Sequence, residues 1–214
     1  MPRASAQRTA ARREEIVDAC AKLYETMSFK EVTIKEIGAE TSFTRTSIYN
    51  YFQTKEEIFL ALFQREYEAW ARDLEAICTG HDVLAAPELA EELARSIERR
   101  MTLLRLLSMN LYDMEENSRL DRLVELKTAY GSAVSAVERC IAQFCPDMDR
   151  AAFLSAFFPF MYGIYPYTIL TPKQREAMKR AGVIYQEQSV YEFALAGIRR
   201  LLGETSNEQR RTQE

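Results

Sequence analysis

The sequence predicts an all-α protein, and three observations lead to that fold class. Glycine and proline are scarce, with seven and six among 214 residues, which disfavours a many-turned β fold. Apolar residues recur at helical spacing between Ile16 and Met27. Helix-start signals follow one another between Thr33 and Glu57. We therefore expect a chain of helices without a sheet.

The first predicted helix runs from Thr9 to Met27, and residues 1–8 are expected to be disordered. Its apolar side chains form one stripe along the helix. The members of this stripe are Ile16, Ala19, Cys20, Leu23 and Met27.

Three threonines are predicted to start the next helices. Thr33-Ile-Lys-Glu36 and Thr54-Lys-Glu-Glu57 are capping boxes, and the Thr44 oxygen is placed to accept from the N–H of Ser47. The predicted helices cover 33–40, 44–51 and 54–78. Two short helices separated by a tight turn, here 41–43, are the helix-turn-helix arrangement.

The remaining sequence is predicted to be helical with a frayed polar tail from Gly203. The helices are expected near 88–107, 108–117, 119–145, 149–170, 172–181 and 187–202. Residues 151–172 carry no charge and are long enough to span a bilayer. Pro159, Gly163 and Pro166 interrupt them, so we expect a buried helix and no membrane association.

Charge is unevenly distributed along the chain. The net charge is −4, yet residues 1–55 carry nine Lys/Arg against seven Asp/Glu, and the first thirteen residues hold four arginines and no acid. The stretch 41–52, TSFTRTSIYNYF, also has no acid. Hydroxyls, amides and one arginine suit a DNA groove and its phosphates. A polyanion is therefore expected at the N-terminal end only.

Residues 12–60 resemble the DNA-binding domain of the tetracycline-repressor (TetR) family of bacterial regulators. The most diagnostic part is Tyr-x-x-Phe at 49–52, followed by the Lys-Glu-Glu helix start at 55–57. The other matching residues are Ile16, Ala19, Cys20, Leu23, Phe29, Thr33, Ile34, Ile37, Thr44, Ser47, Ile48, Tyr51 and Ile58.

Three positions depart from the family pattern. Ser28 and Ser42 stand where the family usually has glycine, so we expect either a strain of about 1 kcal/mol at a positive φ angle or a shifted turn. Gly38 replaces the usual alanine and is expected to let the recognition helix pack closer.

The resemblance implies a helix-turn-helix domain over residues 1–53 that reads DNA. The residues expected to face DNA are Arg45, Thr46, Ser47, Tyr49, Asn50 and Tyr51, with Thr33, Thr44 and Lys55 at phosphates. Ile37, Phe43, Ile48 and Phe52 are expected to form the small core. Two alternatives stay open: the Tyr49 ring packs in that core, or Arg45 is merely a solvated surface residue.

The resemblance also implies that residues 54–214 form a helical domain that binds a small effector and dimerises. AFFPFMYGIYPYTIL, residues 156–170, suits an apolar or aromatic effector. The candidate lining residues are Trp70, Met101, Leu104, Met109, Tyr112, Tyr130, Phe157, Phe158, Met161, Tyr162 and Tyr165. The alternative is that they fill the core. By the resemblance, one face of the last helix joins the helix of 149–170 in an intersubunit four-helix bundle. The candidate dimer residues on that face are Val190, Ala194, Gly197, Ile198 and Leu201.

No catalytic set, metal site or cofactor is expected. His81 is the only histidine and is read as a loop residue. The four cysteines are expected to be reduced in a cytoplasmic protein, since the N-terminus lacks an apolar signal region. Cys140 and Cys145 lie five apart on a helix, too far round for an easy disulfide, although a redox-sensing role stays open.

The leading hypothesis is a homodimeric repressor that binds a palindromic operator and is released by its effector. An enzyme is disfavoured, because no Ser/His/Asp set and no glycine-rich phosphate loop is present. A second alternative is a DNA-binding regulator without an effector, controlled by a protein partner.

Overall fold

The computed structural model describes residues 2–109 and 111–203, and these ranges contain helices and no strand. The all-α prediction is confirmed. The helices are α1 (Pro2–Thr26), α2 (Ile34–Ala39), α3 (Arg45–Ile48), α4 (Lys55–Gly80), α5 (Ala86–Glu98), α6 (Met101–Leu107), α7 (Leu111–Glu116), α8 (Leu120–Phe144), α9 (Arg150–Thr168), α10 (Pro172–Ala181) and α11 (Val190–Leu201).

The chain divides into two compact units. Among the described residues, unit 1 comprises 2–67 and 111–131, and unit 2 comprises 68–109 and 132–203. Helices α4 and α8 contribute residues to both units. The two-domain division at residue 53 stays a prediction.

Unit 1 has a core of aliphatic and aromatic side chains from α1 to α4. Ile16, Ile37, Ile48 and Phe52 are fully buried. The Phe59 ring meets the Tyr24 ring edge-on, with centroids 5.1 Å apart, and the Phe29 ring lies at 4.8 Å. This packing fixes α2 and α3 against α1 and the start of α4.

Several helix boundaries differ from the sequence-based prediction, and α3, expected over 44–51, is helical only over Arg45–Ile48. Helix α1 begins at Pro2. The backbone of residues 2–8 is therefore helical, and the prediction that these residues are disordered is wrong. The helix expected over 88–107 is broken at Arg100, whose φ and ψ angles of −111° and 49° are not helical. The Arg100 guanidinium donates to Asp73, at 2.7 Å from Nε, and to the Ala69 carbonyl at 3.3 Å. These contacts with α4 stabilise the break. The predicted frayed tail beyond Gly203 lies outside the described residues.

Helix α9 is one helix with two prolines inside it, Pro159 and Pro166. One side buries aromatic and aliphatic residues, and the opposite side is exposed and uncharged. The exposed residues along this stripe are Ala152, Ser155, Ala156, Pro159, Tyr162 and Pro166. Among the described residues, no single helix is apolar and long enough to cross a membrane; α9 and α10 meet that criterion only together, across an 82° bend.

Helix α11 packs against α5 and α9 within unit 2. Val190, Ala194 and Ile198, three of the predicted dimer residues, are buried there within the single chain. A Cβ at Gly197 would lie 2.2 Å from Cζ of Phe160, which explains the glycine. Leu201 is half-buried. The predicted face of α11 is therefore turned inward, because α5 and α9 cover it.

Candidate functional site

The turn between α2 and α3 is held by side-chain contacts. The Thr41 hydroxyl lies 3.1 Å from the carbonyl oxygens of both Gly38 and Phe43, and the Ser42 N–H donates to the Glu15 carboxylate. Among the described residues, positive φ angles occur only at glycines, so Ser28 and Ser42 carry no left-handed strain. Of the two predicted alternatives, left-handed strain is therefore excluded and the shifted turn remains.

Gly38 lies where α3 approaches α2 closely. A Cβ built at Gly38 would lie 3.4 Å from the Cα and Cβ atoms of Arg45, at the tight limit of van der Waals contact. This geometry agrees with the prediction that glycine lets α3 pack closer.

Helix α3 and the turn after it present a polar surface over one apolar anchor. Ile48 is fully buried and ties α3 to the core of unit 1. The exposed candidates are Thr44, Arg45, Thr46, Tyr49 and Asn50, whereas Ser47 and Tyr51 are half-buried. Tyr49 is 46% exposed, so its ring is outside the core, and its hydroxyl lies 3.5 Å from the Arg45 guanidinium.

Helix α1 adds a cation beside this surface. Arg12 donates to the Tyr51 hydroxyl at 3.4 Å and lies over the half-buried Phe43 ring, 5.6 Å from its centroid. Arg13 points elsewhere: it lies over the Phe52 ring and pairs with Glu125 at 3.3 Å. Of these two arginines, Arg12 is therefore the one that adjoins the α3 surface.

The first residues of α2 and α3 are capped in different ways. The Thr33 hydroxyl oxygen accepts from the N–H groups of Lys35 at 3.2 Å and Glu36 at 3.4 Å, as predicted for the first half of its capping box. The predicted cap by Thr44 is wrong. The Ser47 N–H donates to the Thr44 carbonyl at 2.8 Å instead, while the two hydroxyl oxygens lie 3.1 Å apart.

Lys55 is engaged inside unit 1. Its ammonium donates to the carbonyls of Phe29 at 2.8 Å and Val32 at 3.3 Å, and lies 4.2 Å from the centroid of the Phe29 ring. Two of its three donors are therefore used to hold the connection between α1 and α2. At most one remains for a phosphate.

Glu57 is a buried carboxylate that the sequence did not single out beyond its capping role. Its oxygens accept from Arg119 Nε at 2.6 Å, from a terminal nitrogen of Arg119 at 2.7 Å, from the Arg119 N–H at 3.1 Å and from the Gln53 N–H at 2.8 Å. The second capping box is thus half right. The Glu57 N–H does donate to Thr54, but the Glu57 side chain binds Gln53 and Arg119.

This ion pair joins the first turn of α4 to the segment before α8. Burial by itself would raise the pKa of Glu57, but the hydrogen bonds from Arg119 and Gln53 outweigh it and hold the pKa below its usual value. The Thr54 hydroxyl adds a bond of 2.9 Å to the Asn117 carbonyl. The residues that follow α3 are therefore fixed by a contact with a residue 62 positions away in sequence, and no local sequence pattern signals this contact.

The effector candidates fall into three groups. A buried group lies in unit 2, where Trp70 stacks on Phe157 with centroids 6.3 Å apart and meets Phe158 edge-on at 6.2 Å. The Trp70 N–H donates to the buried Ser96 hydroxyl at 3.1 Å. Leu104 and Met161 are also buried in unit 2.

The second group lies at or near the surface of unit 2. Met101 is 37% exposed and Tyr162 38%, while Met109 and Tyr165 are half-buried. The third group belongs to unit 1, where Tyr112 is 80% exposed and Tyr130 meets the Tyr67 ring edge-on at 5.5 Å. The buried candidates Trp70, Phe157 and Phe158 therefore contact one another in unit 2, whereas Tyr112 and Tyr130 belong to unit 1.

Family models match both parts of the chain. Residues 16–62 match the model described as bacterial regulatory proteins, tetR family. Residues 64–187 match the tetracyclin repressor-like C-terminal domain. The HTH-type transcriptional repressor Rv1474c of Mycobacterium tuberculosis is 28% identical over 101 residues, which are 46% of this chain and 54% of that protein. The match thus spans about half the length of this relative.

Solved structures show the same fold. The fatty acid degradation regulator FadR from Bacillus halodurans superposes with a TM-score of 0.61 at 12% identity, over 91% of this chain and 96% of that one. FadR from Bacillus subtilis, solved in complex with stearoyl-CoA, gives 0.57 at 14% identity, over 90% and 98%. Because the C-terminal family match alone covers more than half of the chain and the N-terminal match adjoins it, the chain belongs to the tetR family of bacterial regulatory proteins.

Proposed function

We propose that the protein is a homodimeric repressor that binds a palindromic DNA operator in the cytoplasm and is released by a small, largely apolar effector. The single observation that carries the DNA-binding part is the exposed, acid-free surface of α3. Thr44, Arg45, Thr46, Tyr49 and Asn50 offer hydroxyl, guanidinium and amide donors there, while Ile48 beneath them is fully buried.

The chemistry of this surface fits a duplex. Arg45 suits a bidentate contact with guanine, and Asn50 suits adenine. Hydroxyls of Thr33, Thr44 and Tyr49 suit phosphates. Arg12, which donates to the Tyr51 hydroxyl, adds a cation for the sugar-phosphate wall.

Dimerisation is assigned to the exposed stripe of α9. A stripe from Ala152 to Pro166 without a charge is costly to leave in water, and its small residues allow two helices to approach closely. A two-fold dimer would present two recognition helices to two half-sites. The Ala156→Arg variant should be monomeric in analytical ultracentrifugation, whereas the Arg180→Ala variant should remain dimeric.

Long-chain acyl-CoA thioesters are the first effectors to test. The B. subtilis FadR neighbour was solved with stearoyl-CoA, and Trp70 packs against the α9 rings Phe157 and Phe158, so an acyl chain that enters unit 2 should change the surroundings of Trp70. Trp70 is the only tryptophan, so its fluorescence reports binding directly. Stearoyl-CoA should alter this fluorescence, and coenzyme A alone should not.

The test of DNA binding is selection from a random duplex pool with wild type, Arg45→Ala and Tyr49→Phe, with Arg180→Ala as the control. Arg180 is exposed on α10 and far from α3 in sequence. Wild type and the control should enrich one inverted repeat. Arg45→Ala should relax that preference at a cost of about 1–3 kcal/mol for the lost base contact, whereas Tyr49→Phe, at a phosphate contact, should weaken binding about equally for all sequences. No enrichment at low salt by folded wild type would overturn the proposal.

The second candidate is a DNA-binding regulator controlled by a protein partner. The observation that favours this candidate is the exposed uncharged stripe of α9, which a different protein could cover in place of a second copy of this chain. A wild-type monomer that enriches a single half-site would favour this candidate.

A further inference from the structure

Two cysteines 62 residues apart in sequence meet in unit 2. Cys78 lies near the end of α4 and Cys140 near the end of α8, and their sulfur atoms are 2.9 Å apart. Both are free thiols. We propose that Cys78 and Cys140 are an oxidation site that closes to a reversible intramolecular disulfide.

Polar contacts on both sides of the Cys78–Cys140 pair hold α4 against α8. Three residues before Cys78, Glu75 pairs with Arg139 at 2.7 Å. The Gln143 amide donates to the carbonyls of Cys78 at 3.1 Å and His81 at 3.0 Å. The ends of α4 and α8 are thus fixed to each other by polar contacts that do not depend on the thiols. The sulfur atoms need to approach by only about 0.9 Å to reach a disulfide bond length of about 2.05 Å.

The two thiols differ in accessibility, which assigns the order of the reaction. Cys78 is partly exposed, whereas Cys140 is fully buried and donates to the Leu74 carbonyl at 3.5 Å. An oxidant therefore reaches Cys78 first. Burial raises the pKa of the Cys140 thiol, so the closing step is expected to accelerate as pH rises.

The reaction balances with a hydroperoxide as the two-electron oxidant. The Cys78 sulfur attacks the peroxide oxygen, giving a sulfenic acid and an alcohol, or water from hydrogen peroxide. The Cys140 sulfur then attacks the Cys78 sulfur, the S–O bond breaks, and the hydroxide leaves with the Cys140 proton as water. Two thiols have lost two hydrogen atoms, and a dithiol reductant reverses the change.

The other two cysteines provide internal controls. Cys20 is buried in unit 1, and burial raises its pKa to about 12. Cys145 is partly exposed and follows the end of α8. A reagent that simply oxidised the most accessible sulfur would modify Cys145 as readily as Cys78.

The test is peptide mapping of the full chain after treatment with hydrogen peroxide and removal of the excess. Trypsin releases Cys78 in peptide 73–95 and Cys140 together with Cys145 in peptide 140–150. The Cys145→Ser variant therefore resolves which partner is used. Wild type, Cys145→Ser and Cys20→Ser should each give the linked pair 73–95 with 140–150, and dithiothreitol should separate it.

Variants at the pair should abolish the link. Cys78→Ser should give none, and Cys140→Ala keeps the buried site apolar so that folding is preserved; circular dichroism checks this. The disulfide closes the loop from residue 78 to residue 140, so oxidised wild type should unfold on the order of 5–10 °C above reduced wild type, with no gain in Cys78→Ser.

Two results would overturn the proposal. One is the persistence of four titratable thiols in folded wild type under conditions that oxidise the same protein in urea. The other is oxidation that goes to Cys145, or to disulfides between two chains, while the 78–140 link is absent.

Discussion

Helices α3 and α9 use apolar residues in opposite ways. Helix α3 keeps one aliphatic anchor, Ile48, and turns polar groups outward, whereas α9 buries Phe153, Phe157 and Met161 and leaves an exposed stripe that is also uncharged. A short helix with exposed polar side chains on a small core can form hydrogen bonds with another molecule. A helix that is apolar on nearly every side instead needs protein on more than one side.

The largest expected effect tests α9 as core. Phe157→Ala removes a fully buried ring that stacks on Phe153 with centroids 5.2 Å apart and also on Trp70, so the free energy of unfolding should fall by about 3–5 kcal/mol. Urea denaturation followed by Trp70 fluorescence measures it. Ile184→Ala, at a side chain 98% exposed, should change the midpoint little. If Phe157→Ala lowered the free energy of unfolding by less than about 1 kcal/mol, the assignment of α9 as a core helix, in contrast to α3, would be wrong.

The next effect concerns the support behind α3. Arg119→Ala leaves the buried Glu57 carboxylate without its guanidinium partner, so unfolding free energy should fall by about 2–4 kcal/mol. Arg180→Ala removes a pair whose side chains are 78% and 53% exposed, and should cost no more than about 0.5 kcal/mol. Equal effects of the two substitutions would contradict the role assigned to the Glu57–Arg119 pair.

The same pair makes a prediction for acid. The pKa of Glu57 is lower in the folded protein than the usual 4.5, so its stabilisation is fully present above that pH and is lost as pH falls through the lowered pKa. The difference in stability between wild type and Arg119→Ala should therefore shrink below pH 4.5. Urea midpoints at a series of pH values measure this, and a constant difference would show that Glu57 is not the titrating partner.

Two glycines should respond to alanine with opposite sign. Gly197→Ala places a Cβ 2.2 Å from the Phe160 ring, which is stacked on Phe193, so stability should fall by about 1–3 kcal/mol. Gly131 lies inside α8 with nothing within 4 Å of such a Cβ, so Gly131→Ala should raise stability by up to about 1 kcal/mol. Thermal unfolding of both variants gives the comparison, and a stabilising Gly197→Ala would mean that α9 and α11 separate easily.

The smallest effect separates capping from DNA contact. Thr33→Ala should lower stability by about 1 kcal/mol because its hydroxyl oxygen accepts from two N–H groups, whereas Thr44→Ala should be within about 0.5 kcal/mol. Both should weaken operator binding if both hydroxyls contact phosphates. A Thr44→Ala variant with full operator affinity would restrict the interface to the remaining residues of α3.

The sequence alone determined the helical class, the helix-turn-helix and the polar surface of α3. These depend on neighbours within a few residues: the Thr33 cap, the spacing of Ile37 and Ile48, and the absence of acids over 41–52. Interactions at such short separation leave a recognisable pattern in the chain.

Only the tertiary structure decided how the long helices are used. It turned Val190, Ala194 and Ile198 inward under α5 and α9, engaged Lys55 with two carbonyls, and broke the helix at Arg100 through Asp73. It also joined Glu57 to Arg119 and Cys78 to Cys140. Each of these contacts depends on which face of a helix meets a distant element, and an apolar or charged residue has the same local signature on either face.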